Sequence, residues 1–308
     1  MGKTAILFPG QGAQTSGMGK DFYERFEEAK EVFEAAEAAT GLDLKELCFT
    51  ENERLDRTEY TQIAMITTEL AIWKAVQKRL PAADVTAGLS LGEYAALAVS
   101  DVMDLSDVFR IVRKRGIYMQ NAYPSGGAMT AVLGLNGEVV DTACEKAGAE
   151  TALPVSVANY NCPGQIVITG AKEAVERAAA LCGEAGAKRC IPLNVSGPFH
   201  SALLKEASEQ LGKELADVEI RDPKIPYVTN VTAEPVVGAD GIRNLLARQI
   251  CSPVRWQQSV ERMIADGADH FIEIGPGKTL TGFLKRINKE VKAYNIQTIE
   301  DLDQFPEV

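Results

Sequence analysis

Two spacings of apolar residues alternate along this chain. Short, mostly apolar runs at 4–8, 85–88 and 271–274 have the length of buried strands. Between them, apolar residues recur every three or four positions over 21–39, 60–80, 93–98, 105–122, 200–216, 241–250 and 259–266, which predicts helices. Strands alternating with helices imply a mostly parallel sheet with helices on both faces, an α/β fold.

The middle of the chain breaks this rhythm. It reads as strand 128–134, helix 137–148, strands 154–159 and 165–170, helix 171–186 and strand 188–194. The order βαββαβ is ferredoxin-like. The pair Gly126-Gly127 and the turn Gly197-Pro198 bracket it, which places a small inserted domain at 127–197 within a larger one formed by 1–126 and 198–308. The insert ends next to His200, so the expected site is the cleft between the two units.

Composition narrows the class. With 308 residues, 46% hydrophobic and 24% charged, the chain matches an ordinary soluble globular protein with a large core. No apolar run reaches membrane-spanning length, and Met1-Gly2-Lys3-Thr4 leads into a strand without a signal-peptide pattern. Six cysteines lack C-x-x-C spacing, as expected of reduced thiols in the cytoplasm. A net charge of −11 argues against nucleic acid as a partner. Neither membrane association nor a metal site is expected.

The chemistry is concentrated in Gly88-Leu89-Ser90-Leu91-Gly92, a G-x-S-x-G pattern between a strand and a helix. Such an elbow projects a serine hydroxyl from a tight turn; the alternative is a glycine-rich turn with an incidental serine. A serine needs a base to act as a nucleophile. The chain has two histidines. His270 lies in a strand entering the core and reads as structural. His200 follows a Gly-Pro turn at the start of a helical pattern, so it is the candidate base, or else a turn histidine. The loop Phe8-Pro9-Gly10-Gln11-Gly12 follows the first strand, and its glycines let backbone N–H groups approach an anion. The N–H groups of Gln11 and Leu91 are therefore candidates for an oxyanion hole, against a simple turn around a buried glutamine. Arg115 could bind a carboxylate with its planar fork, though helical phase leaves its burial open. Two tempting motifs fail. Gly275-Pro276-Gly277-Lys278-Thr279 lacks the first glycine of a phosphate loop, and Thr15 replaces the third glycine of a dinucleotide fingerprint.

Taken together, the segments resemble the malonyl-CoA:acyl carrier protein transacylases of bacterial fatty acid synthesis. The matches run from FPGQGAQ (8–14) with Gly17-Met18-Gly19, through Thr61-Gln62 and GLSLGEYAAL (88–97), to Arg115-Gly116 with Met119-Gln120. They continue with Asn159-Tyr160-Asn161, Pro163-Gly164-Gln165, SGPFHS (196–201), Pro253-Val254-Arg255-Trp256 and EIGPGKTLTGFLKRI (273–287). The resemblance implies an α/β-hydrolase-like core with a ferredoxin-like insert. It implies Ser90 as acylated nucleophile, His200 as base, and Gln11 and Leu91 as oxyanion donors. Arg115 becomes the malonyl carboxylate clamp, and the Gln249 backbone carbonyl orients the histidine. Phe199 resembles the malonyl-selecting form of its segment. Malonyl-CoA is then a substrate, with no cofactor, and acyl carrier protein the partner of a monomer. Carrier docking is expected on Lys188 and Arg189 or on Lys285, Arg286 and Lys289. A malonyltransferase serving a polyketide synthase, a serine thioesterase or esterase, and a silent binding module are the alternatives. Two departures stand out: Leu89 where the family has histidine, and Ile63 where it has proline.

Overall fold

The computed structural model describes residues 2–195 and 197–306; Ser196, the first residue of SGPFHS, lies outside them, as do Met1, Glu307 and Val308. Strand β1 (Lys3–Phe8) pairs in parallel with β2 (Val85–Gly88) on one side and on the other with the late strand Ala268–Ile274. In chain order β3 (Gly127–Leu133), β4 (Val155–Cys162), β5 (Gln165–Ala171) and β6 (Arg189–Pro192) follow. Then come β7 (Tyr227–Val228), β8 (Pro235–Val236), β9 (Ala268–Ile274) and β10 (Lys292–Ile296). They form a six-stranded sheet, order β10-β9-β1-β2-β7-β8, and a four-stranded sheet, order β4-β5-β3-β6. The first is parallel except for the β7–β8 pair, and the second is antiparallel throughout.

Alternation along β1 explains the layering. Ile6 and Phe8 point into one core, which holds residues of helices Thr58–Val76 and Leu105–Ala122. Ala5 and Leu7 point into another, with Trp256, Val260, Leu280 and Leu284. Successive side chains of a strand face opposite sides, so a strand apolar at every position needs cover on both. The small sheet behaves similarly. Val132, Ile166 and Ile168 pack on helices Gly137–Thr151 and Lys172–Glu184. Met129, Ala131 and Val167 face the large core. Strands and helices of 127–192 follow the expected βαββαβ order.

Several expected elements are corrected. The helix 21–39 is two helices, Lys20–Arg25 and Glu27–Thr40, because Phe26 is extended at φ −122°. The helix 60–80 runs from Thr58 to Val76. The helix 200–216 begins only at Lys205, leaving His200 in a turn at φ 60°. Strands β7, β8 and β10 have no counterpart in the hydrophobic pattern: two are two residues long, and β10 is a half-exposed edge.

Candidate active site

Parallel strands bring their carboxyl ends to one edge of the sheet, where ligands of α/β proteins gather. Here β1 ends before Gly10 and Gln11, β2 before Ser90, and β7 before Asn230. The elbow is tight. A Cβ on Gly88 would lie 1.9 Å from the Gly92 carbonyl carbon, and one on Gly92 would lie 2.2 Å from the Phe8 oxygen. Only glycine fits at either place, and Ser90 between them is held at φ 53°. Asn230 locks this geometry. Its side-chain oxygen accepts from the Ser90 N–H at 2.5 Å, and its amide donates to the Gly88 carbonyl at 2.7 Å.

The Ser90 hydroxyl meets the His200 ring at 2.7 Å, Oγ to Nε2. His200 is held by the end of helix Ile242–Gln249: its N–H donates to the Ile250 carbonyl at 3.1 Å, and Nδ1 lies 2.9 Å from the Gln249 carbonyl. A carbonyl only accepts, so Nδ1 carries the proton and the neutral ring presents Nε2 as an acceptor to Ser90. Burial, followed by the nearby Arg115 charge, pushes the His200 imidazole down to about 4, against the pull of the Gln249 and Ser252 backbone. The ring is therefore neutral at pH 7, as a general base must be.

Arg115 is fully buried and aimed at the serine, which settles what helical phase left open. Its guanidinium donates to Ser90 Oγ at 3.1 Å, to Gln62 Oε1 at 2.7 Å and to Gln249 Oε1 at 2.9 Å, and sits 5.5 Å from the centroid of the Tyr94 ring. Burial lowers its pKa, yet a guanidinium stays charged. These groups open into a cleft of about 240 Å³ that Gln11, Leu91 and Phe199 also line. The Gln11 amide is tied to Thr58 Oγ1 at 3.1 Å. Met129 and Val167 from the small sheet form an opposite wall, and Leu89 and Phe283 add apolar surface.

Thus Ser90, His200, Arg115, Gln11, Leu91, Phe199 and Gln249 all come together. His270 does not, and its expected place in the core is corrected. Its strand is buried at its end, but the ring lies at the surface, with Nδ1 2.6 Å from Asp269 and Nε2 3.2 Å from Lys292. Sequence reasoning missed Glu93 and Asn230, and left Gln62, Asn159 and Asn161 without roles. Glu93 carried a weak signal as the first residue after the elbow; Asn230, after a two-residue strand, carried none. Of the expected docking cations, Lys188 and Arg189 are exposed, whereas Arg286 binds the β4–β5 turn through Gln165 and the Pro163 carbonyl.

Residues 6–303 match the acyl transferase domain family. A malonyl CoA-acyl carrier protein transacylase of Staphylococcus aureus strain MRSA252 is 44% identical over 309 aligned positions, 100% of this chain and 99% of its own length. An acyl carrier protein S-malonyltransferase from Vibrio cholerae superposes with a TM-score of 0.95 at 44% identity, covering 98% of this chain and 99% of that one. A malonyl-transacylase solved in complex with a type II PKS acyl-carrier protein gives 0.94 at 41% identity, covering 98% of each chain. With a serine–histidine pair at the heart of the cleft and likeness along the whole chain, the protein belongs to the acyl transferase family, among the malonyl CoA-acyl carrier protein transacylases.

Proposed function

We propose that this enzyme moves a malonyl group from malonyl-CoA to the phosphopantetheine thiol of an acyl carrier protein through a malonyl-Ser90 ester. The observation that carries the mechanism is the Ser90 Oγ–His200 Nε2 contact of 2.7 Å with Arg115 3.1 Å from the same oxygen. His200 takes the serine proton as Oγ attacks the thioester carbonyl. The Gln11 and Leu91 N–H groups receive the oxyanion. The C–S bond breaks, CoA thiolate takes the proton from His200, and the ester remains. In the second half, His200 takes the carrier thiol's proton, the thiolate attacks the ester, and Ser90 recovers its hydrogen. The Gln249 carbonyl keeps the ring oriented in both halves. Arg115 pairs with the malonyl carboxylate, and Phe199 shapes the pocket for it.

This reading treats residues 1–126 and 198–308 as the catalytic unit and 127–197 as a small domain that walls the cleft. It needs no cofactor, and the chain acts as a monomer in the cytoplasm. No helix among the described residues is long and apolar enough to cross a membrane. Its place is fatty acid synthesis; likeness to a transacylase solved with a type II PKS carrier supports a carrier of that kind as the second reading. Incubation with malonyl-CoA and intact-mass measurement tests the proposal. One malonyl adduct is expected, chased by holo carrier protein and absent in Ser90→Ala. An adduct that persists in that variant, or maps to a cysteine, overturns it. Release of free malonate in place of transfer indicates a thioesterase.

A further inference from the structure

Glu93 opens the helix that follows the elbow, and its side chain is wholly withdrawn from solvent. Its Oε2 accepts from the Gln249 side-chain amide at 2.7 Å and from the Asn230 backbone N–H at 3.2 Å. Gln249 also donates to the Ser90 carbonyl at 2.8 Å and turns its amide oxygen to Arg115 at 2.9 Å.

A carboxamide has a donor end and an acceptor end. At Gln249 the two neighbours of Nε2 are a carboxylate oxygen and a carbonyl oxygen, and both accept. The neighbour of Oε1 is a guanidinium, which only donates. The amide therefore has one satisfied orientation, with ionised Glu93 as the charged acceptor at its donor end and Arg115 as the charged donor at its acceptor end. That orientation holds one arm of the Arg115 fork, while Gln62 holds another. The same Gln249 holds the His200 ring through its main chain.

We propose that Glu93 is a positioning residue for malonyl selection: through the Gln249 amide it sets the Arg115 fork in the attitude that receives a carboxylate. This rests on the transfer reading above, in which Arg115 takes the malonyl group. Glu93 itself touches no reacting atom. Arg115 from helix Leu105–Ala122, Tyr94 on its own helix and Tyr227 on β7 are the ionisable groups that act on it or feel it, and of these Arg115 alone is charged near neutrality. Burial pushes the Glu93 carboxyl up to about 7, against hydrogen bonds from Gln249 and Asn230. Below that pH the carboxyl gains a proton and its Oε2 becomes an uncharged, weaker acceptor for the Gln249 amide, so the fork loses its charge-assisted support as pH falls.

The test is single-turnover acylation of Ser90 from malonyl-CoA and from acetyl-CoA between pH 5.5 and 8.5, in the unsubstituted enzyme, Glu93→Gln and Gln249→Met. The methionine removes the amide and keeps the backbone carbonyl that holds His200. In the unsubstituted enzyme the malonyl-to-acetyl ratio should fall on the acid side of neutrality. Glu93→Gln should lower that ratio roughly tenfold at pH 8, the scale of one charge-assisted hydrogen bond, and remove its pH dependence. The loss should appear in KM for malonyl-CoA before kcat. Gln249→Met should lower the ratio in the same way. Parental ratio and pH profile in both variants, with only a lower thermal midpoint, would overturn the proposal. If Glu93→Gln fails to fold, the Gln249→Met ratio and the unsubstituted pH profile decide. If neither donor labels Ser90 in the unsubstituted enzyme, the transfer reading fails separately. The positioning role is then read from the Arg115 guanidinium N–H signals by NMR: a shift in Glu93→Gln supports it, and unchanged signals overturn it.

Discussion

Two glutamates lie buried near the carboxyl edge of the parallel sheet, and they live in opposite surroundings. Glu93 shares its Oε2 between Gln249 and Asn230 and is linked to Arg115 through one amide. Glu69, on helix Thr58–Val76, is equally buried, yet neither of its oxygens has a hydrogen-bond partner among the described residues. It packs beneath the loop at Gly275, where a Cβ would lie 2.8 Å from its Cγ, and its charged neighbour is another acid, Glu273. Glu273 is already engaged, accepting from the Leu280 and Thr281 N–H groups and the Thr281 hydroxyl. Burial raises both pKa values, but partners bring Glu93 back to about 7, while repulsion from Glu273 adds to the rise at Glu69. Burial without a donor thus disfavours the charged carboxyl; a donor network makes it available to the site.

The partnered region should give the largest effects. His200→Ala should slow acylation roughly 10²–10⁴-fold, the scale of a lost general base. His270→Ala should leave the chemistry near normal, since its ring pairs with Asp269 and Lys292 at the surface. Stopped-flow acylation of both variants checks this, and a dead His270→Ala enzyme would reverse the assignment. Arg115→Ala should cost malonyl transfer on the order of 10²-fold, as expected for a lost bidentate pair, and acetyl transfer much less. Equal losses with the two donors would make Arg115 structural and would dissolve the link to Glu93.

The unpartnered region should speak through stability. An acid with a raised folded pKa loses stability as pH climbs from its unfolded value, 4.5 for Glu69, up through the folded one. The slope is about 1.4 kcal/mol per pH unit per proton. Glu69→Gln should therefore melt higher than the unsubstituted enzyme, by a margin that widens from pH 5 upward, with transfer rates preserved. A constant margin across pH would show that Glu69 is ionised in the folded state. The smallest effect belongs to the surface. Charge reversal at Lys188 and Arg189 should raise KM for carrier protein a few-fold and leave malonyl-enzyme formation unchanged, more so at low salt. Arg286→Glu is a poorer probe, because that side chain also anchors the β4–β5 turn. No change at Lys188 and Arg189 would move the docking surface elsewhere.

Much of the fold and the serine–histidine pair was legible in the sequence because those features are local. The elbow needs glycine two residues either side of Ser90 for steric reasons internal to one turn. His200 stood out because the chain has so few histidines and this one follows a Gly-Pro turn. Strand and helix periods marked the two sheets because each element buries a face at its own repeat. What remained hidden was set by contacts between distant segments. Gln249 reaches the elbow from 159 positions away, and Asn230 reaches Glu93 from 137. Arg115 could not be placed by helical phase, because its burial depends on a cavity that Gln62, Tyr94 and Gln249 build from three other segments. By itself the sequence determined the elbow, the candidate base and the layered fold, since turn sterics and hydrophobic spacing act between near neighbours. Only the tertiary structure decided which buried polar groups meet, because a hydrogen bond depends on where two atoms end and not on their separation along the chain.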